Sequence, residues 1–189
     1  MFTEYLFFNN GKNLILEGDF GYIKYNNKTF FSTQVRFFNP SLHTFGGNTM
    51  PLELQIVHQD NQNNQITISV FFKYSESDFS LFLSKLGFDD EKLKYQKAYD
   101  PKKIKEPIYL GQFVNDSKNF FAYKSKIFWH HCKRNSLNLI ITDVMNISAR
   151  QLENFPLLVF NLKRKIHKRN ERKIYRSFNE TSINATLKI

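Results

Sequence analysis

Apolar and polar side chains alternate with a period of two along much of the chain, the pattern of half-buried strands. Met1–Phe8 (MFTEYLFF) reads as an apolar strand, and Asn9-Asn10-Gly11 turns it. Leu14–Leu16 and Gly21–Tyr25 follow as strands, with Asn26-Asn27 turning into Thr29–Ser32. The chain is organised around Gln34–Asp60, QVRFFNPSLHTFGGNTMPLELQIVHQD, which reads as two strands joined by a polar, glycine-containing connection. Gln34, Arg36 and Phe38 share one face of the first strand, and Glu53, Gln55 and Val57 share a face of the second. After a polar loop at Gln59–Gln65, Ile66–Tyr74 (ITISVFFKY) is a further strand.

Helical spacing appears at Ser77–Leu86, where Phe79, Phe82, Leu83 and Leu86 line one face, Ser77 or Asp78 is the cap and Gly87 the stop. Asp89–Lys94 adds a turn, and Tyr99–Pro107 reads as a basic, proline-bounded loop. Ile108–Phe113 and Asn119–Tyr123 lead into FFAYKSKIFWHHCKRNSLNLIITDVMNIS, and Ser148–Phe155 starts a second helix with a serine cap. No internal repeat is visible.

Composition narrows the class. With 189 residues the chain reads as one domain large enough for a sizeable core, and its 21 Phe and 9 Tyr favour strands. The single Cys132 excludes an intramolecular disulfide, so the fold requires no oxidising compartment. Met1–Lys12 lacks a charged region followed by an apolar core, and no apolar run approaches a membrane span. The expectation is an intracellular protein of a reducing compartment. The Lys, Asn, Phe and Ile bias fits an AT-rich genome, which leaves a mitochondrial setting open. Without an export signal, the Asn-x-Ser/Thr triplets at Asn27, Asn115, Asn146, Asn179 and Asn184 carry no weight as glycosylation sites.

Pro40-Ser41, His43-Thr44, Gly47, Glu53-Leu54 and Val57-His58 together resemble the α-type carbonic anhydrases. That family carries two zinc-binding histidines on one strand, a PSEHT-like turn, and a third histidine in an ELHLVH-like strand. SARQLENF, Ser148–Phe155, resembles the family's SxEQLxxF segment. The resemblance implies a mainly β (α+β) domain with a twisted, mostly antiparallel central sheet and few peripheral helices. It covers residues 1–160 of this chain without the family's N-terminal segment, and leaves 161–189 as a basic extension.

The frame is kept but the chemistry is not. Arg36, Phe38 and Gln55 stand at the three zinc-ligand positions. Arginine has no lone pair to give, phenylalanine no donor atom, and glutamine only a weak amide oxygen. The resemblance places Lys12 at the proton-shuttle histidine, Phe128 and Trp129 at a threonine pair whose first hydroxyl orients metal-bound hydroxide, and Leu42 at its supporting carboxylate. His43 and Glu53 match a pair that braces the metal site from beneath; truncating either would strand the other, so they outlast the metal as structure. His58 is retained as well. Arg36, on the face of Glu53 and Gln55, is a candidate replacement for the zinc charge, with those two residues as partners.

Trp129-His130-His131-Cys132 is the remaining cluster with ligand chemistry. In an extended segment His130 and Cys132 face one way and His131 the other, so at most two would bind one metal. No second spaced ligand motif accompanies them, and Cys132 lacks a Cys-His-carboxylate pattern for nucleophilic catalysis. The expectation is no metal and no cofactor.

Charge adds a second feature. Leu162–Arg176 (LKRKIHKRNERKIYR) holds Lys163, Arg164, Lys165, Lys168, Arg169, Arg172, Lys173 and Arg176 against Glu171, a net +7 that leaves +3 of the whole chain's +10 elsewhere. Leu162, Ile166 and Ile174 fall at helical spacing, interrupted at Asn170. The bland reading is a solvated helix or tail; the functional one is docking on RNA or an acidic protein surface.

The reading is a catalytically silent, structural or binding subunit of a larger intracellular assembly, with other protein subunits as partners. Its rivals are a binder of small molecules in the old cone or of polyanions through the basic segment, and a surviving hydratase.

Overall fold

The computed structural model of the protein describes residues 4–45, 47–114, 119–129, 132–156 and 173–177. Its first strands are β1 (Tyr5–Asn9), β2 (Leu14–Glu17), β3 (Tyr22–Tyr25) and β4 (Lys28–Phe38). A small pair, β5 (Thr44–Phe45) and β6 (Asn48–Thr49), precedes β7 (Leu52–Gln59) and β8 (Gln65–Tyr74). Helix α1 (Leu81–Leu86) and a 3-10 turn (Glu91–Tyr95) are followed by β9 (Lys102–Ile104), β10 (Phe120–Trp129), β11 (Cys132–Ile141), β12 (Met145–Ile147), α2 (Ala149–Glu153) and β13 (Ile174–Arg176).

One twisted sheet runs β13-β10-β11-β8-β7-β4-β2-β1-β9, with β3 on β4 and β12 on β8. Pairing is antiparallel except where β8 meets β11 and β12. The central strand β8 is buried at every residue from Gln65 to Phe72, as expected of a strand covered on both faces. On one face Phe7, Leu16, Val35, Phe37, Leu54, Ile56, Ile68, Val70, Phe72 and Leu139 form the main core. Phe82 and Phe88 from the helical segments pack on Phe37, and Phe155 packs on Phe88 with ring centroids 6.0 Å apart. The other face carries the candidate site.

Local signals act where the sequence puts them. Asn26 and Asn27 adopt left-handed φ of 50° and 59° in the β3–β4 turn, a conformation asparagine tolerates well. Gly87 ends α1 at φ 94°. Ser148 and Gln151 form a capping box on α2.

Three expectations are corrected. Helix α1 starts at Leu81 with Ser80 as its cap, and Phe79 is exposed outside it. Ser75 and Asn146 both donate to Asp78, holding that residue in a turn, while Gln151 clamps the Ser80 backbone from both sides. The Tyr99–Pro107 loop contains β9, which pairs with β1 because Ile104 is buried while Lys103 reaches out to Glu4 at 3.0 Å. Ile108, Leu110 and Phe113 plug the core from the loop and turn that follow β9. Ile174, placed on a helix by its spacing, lies in β13, paired to Tyr123 of β10. The rest of the basic segment, with Lys163, Arg164, Lys165, Lys168, Arg169 and Arg172, lies outside the described residues.

Candidate functional site

The register of β4 on β7 sets Arg36 opposite Gln55, Phe38 opposite Glu53 and Gln34 opposite Val57. The two strands therefore bring together all three positions singled out in the sequence, on the face away from the main core. Phe38 is buried; Arg36 and Gln55 are half-buried.

Glu53 is fully buried and fully engaged. Its Oε2 accepts the backbone N–H groups of Leu42 and His43 at 2.8 and 2.9 Å. Its Oε1 lies 2.7 Å from His43 Nδ1 and accepts from Gln55 Nε2 at 2.7 Å. His43 Nε2 in turn meets the Tyr123 hydroxyl at 2.6 Å, with the rings edge to face. Burial pushes the Glu53 carboxyl up, but the bonds and charge from His43 and the Gln55 amide outweigh it and hold it below the ordinary value. The result is a braced chain, Gln55–Glu53–His43–Tyr123, spanning β7, the loop after β4, and β10. Ser41 fixes that loop: its hydroxyl donates to the His43 carbonyl at 2.6 Å and accepts from Met50 N–H at 2.9 Å.

Arg36 Nε donates to Gln34 Oε1, and Gln34 Nε2 donates to Glu17 Oε1 at 2.9 Å. The guanidinium is thus tied along its own strand toward a carboxylate on β2, while its cross-strand neighbour Gln55 serves Glu53. Beyond them the face continues into hydroxyls and amides: Gln65, Thr67 and Ser69 on β8, Ser136 and Asn138 on β11, and Ser125 on β10 are in register across the sheet. Gln65 donates to Thr67 at 2.7 Å and Asn138 to Ser125 at 2.8 Å.

Of the other positions singled out, Leu42 supplies its backbone N–H to Glu53, and Lys12 is an exposed turn residue. Phe128 and Trp129 lie in β10 opposite Lys133 and Cys132, and their side chains are outside the described atoms. The pairing of Trp129 with Cys132 corrects the reading of 129–132 as one extended segment: the chain reverses there, and His130 and His131 lie outside the described residues. His58 faces the main core, opposite Ser32. Sequence reasoning missed Tyr123, Gln34 and Glu17 as partners, and the polar row on β8 and β11. The alternating hydroxyls of ITISV were its one visible trace.

The eukaryotic-type carbonic anhydrase family model matches residues 8–183. The chain belongs to that family. Alpha carbonic anhydrase 7 of Arabidopsis thaliana is 26% identical over 152 residues, 77% of this chain and 52% of the relative. Dioscorin DB3L of Dioscorea polystachya is 25% identical over 147 residues, 76% of this chain and 53% of the relative. The solved α-carbonic anhydrase of Thermovibrio ammonificans, in complex with sulfanilamide, superposes with a TM-score of 0.78 at 22% identity, over 92% of this chain and 75% of that one. The mixed, twisted sheet is thus the α-carbonic anhydrase fold. The chain spans about half the length of the curated relatives it matches.

The donor set does not fit the family's zinc. Arg36 and Phe38 offer no lone pair, and Gln55, whose Nε2 donates to Glu53, has only a weak amide oxygen to give. Among the described residues no group of three or more His, Cys, Asp and Glu side chains converges on a point. No helix there is long and apolar enough to cross a membrane.

Proposed function

We propose that this carbonic anhydrase family member is catalytically silent and serves as a structural or binding subunit of a larger intracellular assembly. The observation that carries the reading is the division of the site. The bracing Glu53–His43–Tyr123 chain is intact, while two of the three metal positions hold side chains hydrogen-bonded along their own strands and the third holds a buried phenylalanine. An arginine tied to Gln34 and a glutamine tied to Glu53 are side chains at work in a scaffold. Protein purified with added zinc and dialysed is expected to hold well below one equivalent by elemental analysis, and its carbon dioxide hydration to equal the buffer blank. A stoichiometric, retained zinc sinks the reading and revives a hydratase.

The attachment surface is the strand β13 with the basic segment that leads into it. Ile174 and Tyr175 are 45% and 48% exposed, and Arg176 stacks over the Phe121 ring at 5.8 Å. An edge strand with exposed apolar groups, preceded in the sequence by a run of cations, suits a protein partner with an acidic surface, or RNA. Native extract run on size exclusion is expected to place the chain in a large complex at low salt and to release part of it at high salt, because screening weakens the attachment through Lys163–Arg176. A monomer near 22.5 kDa in both conditions rules the assembly out and favours the small-molecule binder.

A further inference from the structure

On the core side of the sheet, a small cavity lies between β3, β4, β7, β8 and the turn after Ile108. Apolar Phe20, Ile23, Ile56, Ile68, Leu110 and Val114 form most of its wall, and Tyr22 completes the rim. Two polar side chains also line it, Ser32 and His58, which stand directly opposite one another on β4 and β7. Both are buried, at 2% and 4% exposure. Neither Ser32 Oγ nor His58 Nδ1 has a hydrogen-bond partner among the described residues.

The local backbone explains why these groups stay unsatisfied. Ser32 N–H donates to the Gly21 carbonyl at 2.9 Å, and the Ser32 carbonyl accepts from Phe20 N–H at 3.0 Å, so the strand beside it is already closed. The register shift between Ser32 and Gln34 keeps Ser32 facing inward with His58, while Gln34 faces the candidate site. Two unbonded polar atoms on cross-strand neighbours in an otherwise apolar wall are costly when dry and cheap when bridged. The space holds about one water-sized sphere, and apolar cavities of this kind stay empty while those with two or more polar partners hold water.

We infer that one structural water is bound in this cavity, hydrogen-bonded to both Ser32 Oγ and His58 Nδ1. Water suits the pair because it both donates and accepts, so it satisfies His58 Nδ1 in either tautomer and still reaches the serine hydroxyl. A larger ligand does not fit, and an ion is disfavoured because no charged side chain lines the cavity.

A high-resolution crystal structure of the full chain tests this, with a second crystal pressurised with xenon. The expected result is density for one water within hydrogen-bonding distance of both atoms, and no xenon in the site. An empty cavity, xenon in its place, or a serine rotated onto a backbone carbonyl overturns the inference. Ser32→Val, which fills the space and removes one partner, is expected to expel the water. Density at the same point in that variant also overturns the inference.

Discussion

Glu53→Ala is expected to destabilise the protein by roughly 3–5 kcal/mol, the cost of removing a buried carboxylate from the several donors that point at it. The substitution does more than remove a contact. It strands two backbone N–H groups, those of Leu42 and His43, together with His43 Nδ1 and the Gln55 amide, all of which now point at the carboxylate. For a domain of this size that loss is on the order of 10 °C in melting temperature. Gln55→Ala removes one of the same bonds and leaves a half-buried position, so it is expected to cost about 1 kcal/mol. Glu53→Gln keeps an acceptor oxygen and should fall between them. Thermal and urea unfolding of the three variants gives the ranking directly. If Glu53→Ala is no more damaging than Gln55→Ala, the carboxylate is not the keystone and its retention requires another cause.

Much of this site is legible in the sequence, and for a definite reason. Strand alternation puts Arg36 with Phe38 and Glu53 with Gln55, and the family resemblance joins the two faces into one site. The chemistry of their side chains then bears on zinc, since arginine and phenylalanine have no lone pair to give. What alternation cannot supply is the partner at long range. Tyr123 meets His43 across 80 positions, and Glu17 meets Gln34 across 17; only the sheet order brings them together. Caps were misplaced for a related reason. Ser77, Asp78 and Ser80 are all competent N-caps by type, and the choice of Ser80 is made by Gln151, 71 residues away. The C-terminal strand shows the same limit: Ile174 fits a helical stripe by spacing, but an open edge on β10 captures it.

Among the described residues, acid is expected to weaken the fold between about pH 6.5 and pH 4 chiefly through His58. Burial pushes this imidazole down to about 4 from its usual 6.5, against a smaller opposing pull from the backbone of Ile66 and Ile56. In the unfolded chain the same ring takes a proton near 6.5, so within that window the unfolded state binds more protons than the folded one. Unfolding free energy therefore falls as the pH falls. The stabilisation is complete above about 6.5 and is lost as the pH drops through about 4; the difference corresponds to about 3 kcal/mol. No lysine, arginine or carboxylate lines the cavity beside the ring to soften the cost. Glu53 acts in the same direction but lower, because its carboxyl lies below the ordinary 4.5 when folded, so its stabilisation is lost as the pH falls through that depressed value. His58→Gln separates the two: it stays neutral throughout, and should flatten the stability profile from 6.5 down to about 4 while leaving the steeper loss below. Chemical denaturation across pH 4 to 7 measures both curves. Superimposable profiles for the native chain and the variant over that interval would mean that His58 is protonated in the folded state, and that its surroundings are wetter than one bridging water allows.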